Sequence, residues 1–166
     1  MNPLVRFSSA AFAALSIFFS STLCADPPGD SVAAQHAARG KALFDQGFYE
    51  LLPRNNRAEA EARFDLAVRE NLRAVELNPN LEQAYRQLAR IYHVQKRYDD
   101  EIGAQREILR LRPDDVDVRV RLADALAREH RVSEALVQLE AAHKYTDDPH
   151  ALEQIDRYIA ILKEHR

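Results

Sequence analysis

Beyond residue 30 the apolar positions recur at three- and four-residue spacing, and no run of alternating Val, Ile and Thr interrupts them. That pattern predicts helices throughout and no strand, so the expected fold class is all-α. Over residues 81–96, Tyr85, Leu88, Ala89 and Tyr92 make one apolar stripe, and Gln83, Arg86, Gln87, Arg90 and His93 make the polar stripe beside it. A helix with this division buries one face and offers the other to solvent or a ligand. Helix starts are expected at Asn56 with Glu59 and at Asn80 with Gln83, which have the spacing of a capping box. Pro79, Pro113 and Pro149 punctuate the text at intervals of 34 and 36 residues, and near-constant spacing of that size marks a repeat.

The segments between the prolines align with one another. A shift of 34 lays Ala84–Tyr92 on Val118–Leu126, with Leu88-Ala89 on Leu122-Ala123, and lays Tyr98-Asp99-Asp100-Glu101-Ile102 on Val132-Ser133-Glu134-Ala135-Leu136. Each unit therefore reads as two helices joined by a short polar turn, at 93–97 and again at 128–131. These residues resemble the tetratricopeptide repeat family, with Tyr85, Leu88, Ala89, Tyr92, Tyr98 and Pro113 carrying the match in one unit. Leu122, Ala123, Ala135, Leu139 and Ala142 carry it in the next. The resemblance implies a right-handed superhelix of about three hairpins plus a C-terminal capping helix. Its parts are a weak repeat at 31–79, repeats at 82–115 and 116–149, and a cap at 149–165.

In the weak repeat, Gly40, Phe44 and Gly47 fit the end of a first helix, and Phe64, Ala67 and Ala74 fit a second. Residues 50–63 between them exceed the family's turn, so an inserted loop and a lengthened helix are expected there; a hairpin that is not a true repeat is the alternative. The last helix carries Leu152, Ile155, Ile159 and Leu162 on one stripe. That stripe suits a cap that keeps the stack soluble; a dimer seam is the alternative.

The amino end has a different character. Phe7 to Ala25 is a run of 19 uncharged residues, preceded by Arg6 and followed by Asp26. Residues 1–25 read as a signal peptide cut after Ala25, and 26–30 as a linker; an uncleaved membrane anchor is the other reading. Under both, Arg6 on the cytoplasmic side sends the remainder across the membrane, so the protein is expected to be exported, periplasmic or secreted. The single Cys, Cys24, would leave with the signal, and a thiol-free chain suits an oxidising compartment.

Charge and chemistry narrow the function. With 23 Lys and Arg against 26 Asp and Glu, the net charge is -3, which excludes the basic balance of a nucleic-acid binder. There is no Gly-rich phosphate loop, no His-Glu-x-x-His and no Cys pair, so neither a cofactor nor catalysis is expected. His36, His93, His130, His143, His150 and His165 are scattered rather than paired at helical spacing, so no metal site is expected. The acidic clusters Asp99-Asp100-Glu101 and Asp114-Asp115-Asp117 sit at helix starts, where capping explains them.

Binding is what remains. The resemblance implies a concave wall made of first helices that holds a protein or peptide segment. The candidate residues are Gln83, Arg86, Gln87, Arg90, His93 and Arg121. Glu82 with Arg86, Asp117 with Arg121 and Asp124 with Arg128 have the spacing of helical ion pairs, whereas Arg90 has no acidic residue three or four places away. Arg90, flanked by Arg86 and Arg121, is thus the expected grip on an acidic partner. Tyr158 and Ile161 form a second candidate surface. The expected role is a non-enzymatic exported adaptor or assembly factor, with a structural spacer subunit of an envelope complex as the alternative.

Overall fold

A computed structural model describes residues 28–164; the segment read as a signal peptide and His165 lie outside them. Among the described residues seven α-helices follow in chain order: α1 Pro28–Asp45, α2 Arg57–Leu77, α3 Glu82–Gln95, α4 Tyr98–Leu111, α5 Val116–Arg128, α6 Val132–His143 and α7 Pro149–Glu164. No strand occurs among the described residues. Helices α1 and α2, α3 and α4, and α5 and α6 pair as hairpins; α2 packs on α3 and α4 on α5, and α7 closes the end against α6. Among the described residues no helix is long and apolar enough to cross a membrane.

The period of 34 reappears in the backbone hydrogen bonds. The N–H of Arg97 bonds the Tyr92 carbonyl at 2.9 Å, and 34 residues on the N–H of Arg131 bonds the Leu126 carbonyl at 2.8 Å. Lys96 and His130 close the two first helices with φ of 58° and 57°, the left-handed conformation that ends a helix and usually falls to glycine. The second helices also end alike, Asn78 N–H on Ala74 and Arg112 N–H on Ile108.

Close packing of small residues joins the helices. Leu88, Ala89, Ile91 and Tyr92 of α3 are buried with Phe64 of α2 and Ile108 of α4. The second core places Leu122, Leu126, Leu136 and Leu139 against Ile155 and Leu162 of α7. Burial of Ile155 and Leu162 there covers the apolar face that the last hairpin would otherwise expose, which is the work of a cap.

The first hairpin departs from its siblings through helix rather than loop. Helix α1 continues through a single π turn, Gln46–Leu51, and a 3-10 turn, Leu52–Arg54, and α2 already starts at Arg57. Both arms are lengthened, and residues 57–63 are helical. Two glycines let α1 approach α2. A Cβ on Gly47 would lie 2.7 Å from a ring carbon of Phe64, and one on Gly40 would lie 2.9 Å from Cγ of Asn71. His36 Nδ1 to Glu70 at 2.7 Å and Asn78 Nδ2 to Asp30 at 2.9 Å tie the pair along its length.

The expected capping boxes do not form as such. Asn56 Nδ2 donates to the Glu59 carboxylate at 2.6 Å, so the two side chains satisfy each other and not the free N–H groups of α2. Helix α3 takes Leu81 as its N-cap, and the Asn80 N–H that Gln83 would reach in a capping box is held by the side chain of Asn78 at 2.9 Å in a tight turn. Asp115 does cap α5, accepting from the Val118 N–H at 3.0 Å.

Candidate functional site

The polar stripe of α3 and the exposed face of α5 stand on either side of a cleft of ≈ 440 Å³, with Arg86, Arg90 and His93 on one wall and Asp117 and Arg121 on the other. Glu101, Gln105 and Ile108 of α4 form its floor. A smaller cleft of ≈ 190 Å³ continues towards α1, where Gln83 and Gln87 face Lys41 and Phe44, and Arg86 and Arg90 border both. The six residues singled out in the sequence therefore line one continuous groove. It runs on towards α7, since Arg121 also borders a hollow formed with Val120, Ile155 and Tyr158.

The arginines of the groove are in different states. Arg86 is held by two carboxylates, Nε to Glu82 at 2.6 Å and Nη2 to Asp115 at 2.5 Å, and so clasps the starts of α3 and α5 together. Burial works to raise the Asp115 carboxyl, but the hydrogen bonds from Arg86 and the Val118 N–H outweigh it and hold it below its ordinary value. Arg90 has no carboxylate partner among the described residues. Its guanidinium lies 4.8 Å from the Phe44 ring centroid and donates to the Tyr49 hydroxyl at 2.9 Å, which orients the cation without neutralising it. The aromatic ledge beneath it, with Phe44 stacked on Phe48 at 5.4 Å, comes from the lengthened first hairpin. The Arg90–Tyr49 hydrogen bond spans 41 residues of sequence.

Arg121 is exposed. The pair expected between Asp117 and Arg121 does not form, although Asp124 and Arg128 do pair at 2.7 Å. Among the described residues Arg121 has no ion-pair or hydrogen-bond partner. Gln87 is half-buried, and its amide Nε2 and Oε1 are both shielded from solvent without a partner among the described residues. An unpaired buried amide is costly, and a ligand backbone in the groove would offer it both a donor and an acceptor.

One residue of the groove was misread from sequence. Glu101 is not a surface charge at a helix start: it is 4% exposed, receives Gln105 Nε2 at 2.7 Å, and lies 3.1 Å from His93 Nδ1. Burial pushes its carboxyl above the ordinary value, against the pull of His93. The signal was present in the repeat. Residues 67 and 135, one period to either side, are both Ala and both fully buried. Tyr158 is half-buried and donates to Asp124 at 3.2 Å; burial first, and then Asp124, push its hydroxyl up to about 12. Ile161 stays exposed.

Stacked helical hairpins with a concave, partly cationic groove define a helical-repeat fold. No family model matches the sequence, and no curated protein matches it. Solved structures do. The TPR domain of Arabidopsis OM64 has a TM-score of 0.60 at 13% identity, over 83% of this chain and 99% of that one. The TPR2B domain of yeast Sti1, in complex with pHsp70, also has a TM-score of 0.60, at 16% identity over 82% of this chain and 99% of its own. The N-terminal domain of stress-induced protein-1 from C. elegans reaches 0.57 at 15% identity, over 79% and 97% of the two chains. The chain has the tetratricopeptide-repeat fold.

Proposed function

We propose that this protein is a non-catalytic interaction module that holds an acidic polypeptide segment along the groove formed by α1, α3 and α5. The observation that carries this reading is that Arg90 and Arg121 border one cleft with no carboxylate partner among the described residues. Such cations in a partly desolvated concavity favour a carboxylate-bearing ligand, through charge-assisted and bidentate hydrogen bonds. The unpartnered amide of Gln87 supports a ligand in extended conformation, whose backbone would pair with it. The fold is compatible with this use, since the yeast Sti1 domain was solved with pHsp70 in complex.

The segment Phe7–Ala25 behind Arg6 supports an exported role, in which the module serves as an adaptor or assembly factor beyond the inner membrane. The test is binding of fluorescein-labelled hexaglutamate, with hexalysine as the control, combined with crosslinking mass spectrometry in intact cells. Hexaglutamate is expected to bind the wild type, and Arg90→Glu and Arg121→Glu to lose it with helical content intact by circular dichroism. Equal binding of hexaglutamate by wild type and both variants, or crosslinks confined to α2, α4 and α6, would overturn the groove assignment.

A further inference from the structure

The middle hairpin is the one whose packing departs from the repeat. At the position where α2 and α6 have the buried alanines Ala67 and Ala135, α4 has Glu101, buried beneath the groove with His93 at 3.1 Å and Gln105 at 2.7 Å. Position 93 is likewise occupied one period later by Ala127. Ala at both places, as in the neighbouring hairpins, would spare the fold the desolvation of a carboxylate. The acid and the imidazole thus stand where the fold does not require them, and both line the ligand cleft.

We propose that Glu101 and His93 form a proton-binding site in the floor of the groove, so that an acidic segment seated there is held more tightly as the pH falls. This rests on the groove reading above and specifies how the site is regulated. With the carboxylate ionised and the imidazole neutral, the pair puts one negative charge beneath the ligand. Uptake of one proton, giving an imidazolium–carboxylate pair or a protonated acid, removes it. An acidic ligand favours the protonated pair, and by reciprocity the protonated pair favours the ligand.

The other groups facing the pair set a fixed background. They are Arg86 and Arg90 on α3, Asp117 and Arg121 on α5, and the ion pair Asp124–Arg128 behind them. Tyr158 of α7 borders the same hollow and Tyr98 of α4 meets the His93 ring at its edge. On α6, Arg131 and Glu134 bind each other and reach Asp99 and Arg106 of α4 at the surface.

The experiment measures anisotropy of labelled hexaglutamate with the wild type, Glu101→Ala and His93→Ala at constant ionic strength between about pH 6 and 8. One linked proton limits the response to about one decade per pH unit, and an increase in affinity of about tenfold across the range is expected for the wild type. The two variants should change by less than about twofold. Calorimetry in two buffers of unequal ionisation enthalpy should show fractional proton uptake on binding in the wild type alone. Should Glu101→Ala fail to fold, His93→Ala at the half-exposed rim decides. Variants that keep the wild-type slope would overturn the proton site and leave the groove standing. A wild type that binds no hexaglutamate at any pH would bring down both.

Discussion

Truncating Arg121 to Ala separates binding from folding, because the groove's cations have unequal structural duties. Arg86 holds Glu82 and Asp115, and Arg90 rests on Phe44 and Tyr49, so losing either removes contacts between helices as well as charge from the groove. Arg121 is exposed and contacts no carboxylate or hydrogen-bond acceptor among the described residues, so its removal should change stability by no more than about 0.5 kcal/mol. A hydrogen bond to a charged group contributes about 1.5–3 kcal/mol. At about 1.4 kcal/mol per decade, the loss of affinity for hexaglutamate should be roughly 10- to 150-fold. Arg86→Ala should show the opposite balance, with a lower Tm from the lost tie between α3 and α5. Thermal melts by circular dichroism and anisotropy titrations of the same samples make the comparison. A drop in Tm of several degrees for Arg121→Ala with unchanged hexaglutamate affinity would refute the reasoning.

Gly40→Ala forces a Cβ to within 2.9 Å of Asn71 Cγ and 3.2 Å of the Ala67 carbonyl oxygen. Overpacking costs about 1–3 kcal/mol against about 1 kcal/mol gained in helix propensity, so urea denaturation should show net destabilisation, largely recovered by adding Asn71→Ala. A neutral or more stable single variant would be inconsistent with that contact. Lys96→Gly and His130→Gly, at φ of 58° and 57°, should each stabilise by about 0.5–1 kcal/mol, read from the same measurement. Because burial raises the Glu101 carboxyl, its contribution to stability is present in acid and is lost as the pH rises through the folded-state value. The Tm of Glu101→Ala relative to the wild type should therefore be higher at about pH 7.5 than towards about pH 4; a difference that is flat with pH would count against a buried, titrating carboxylate.

The repeat itself was legible in the chain, since periodicity of 34 in Leu88-Ala89 and Leu122-Ala123 reports a local rule. Each hairpin needs a small residue where its two helices touch, and the spacing of those contacts is fixed by helix geometry. The exposed stripe of α3 followed from the same rule, because a face not needed for packing is left to the polar residues. Helix caps were less legible: Asn78 took the Asn80 N–H that the Gln83 side chain was expected to reach, a competition between neighbouring turns that spacing cannot rank.

What each groove residue does was settled only by contacts between helices. Arg90 has no acid nearby in sequence, yet its cation is set by Phe44 and Tyr49, which arrive from α1 and its π turn. Arg86 lost its freedom to Asp115, 29 residues away, while Arg121 kept its own because Asp117 turned out not to reach it. Glu101 looked like one more charge at a helix start, and only the approach of α3 over α4 put it out of water beneath His93. Sequence periodicity encodes which face of a helix is buried; the surroundings of an ionised side chain depend on which side chains the neighbouring helices lay across it, and that is a property of the stack.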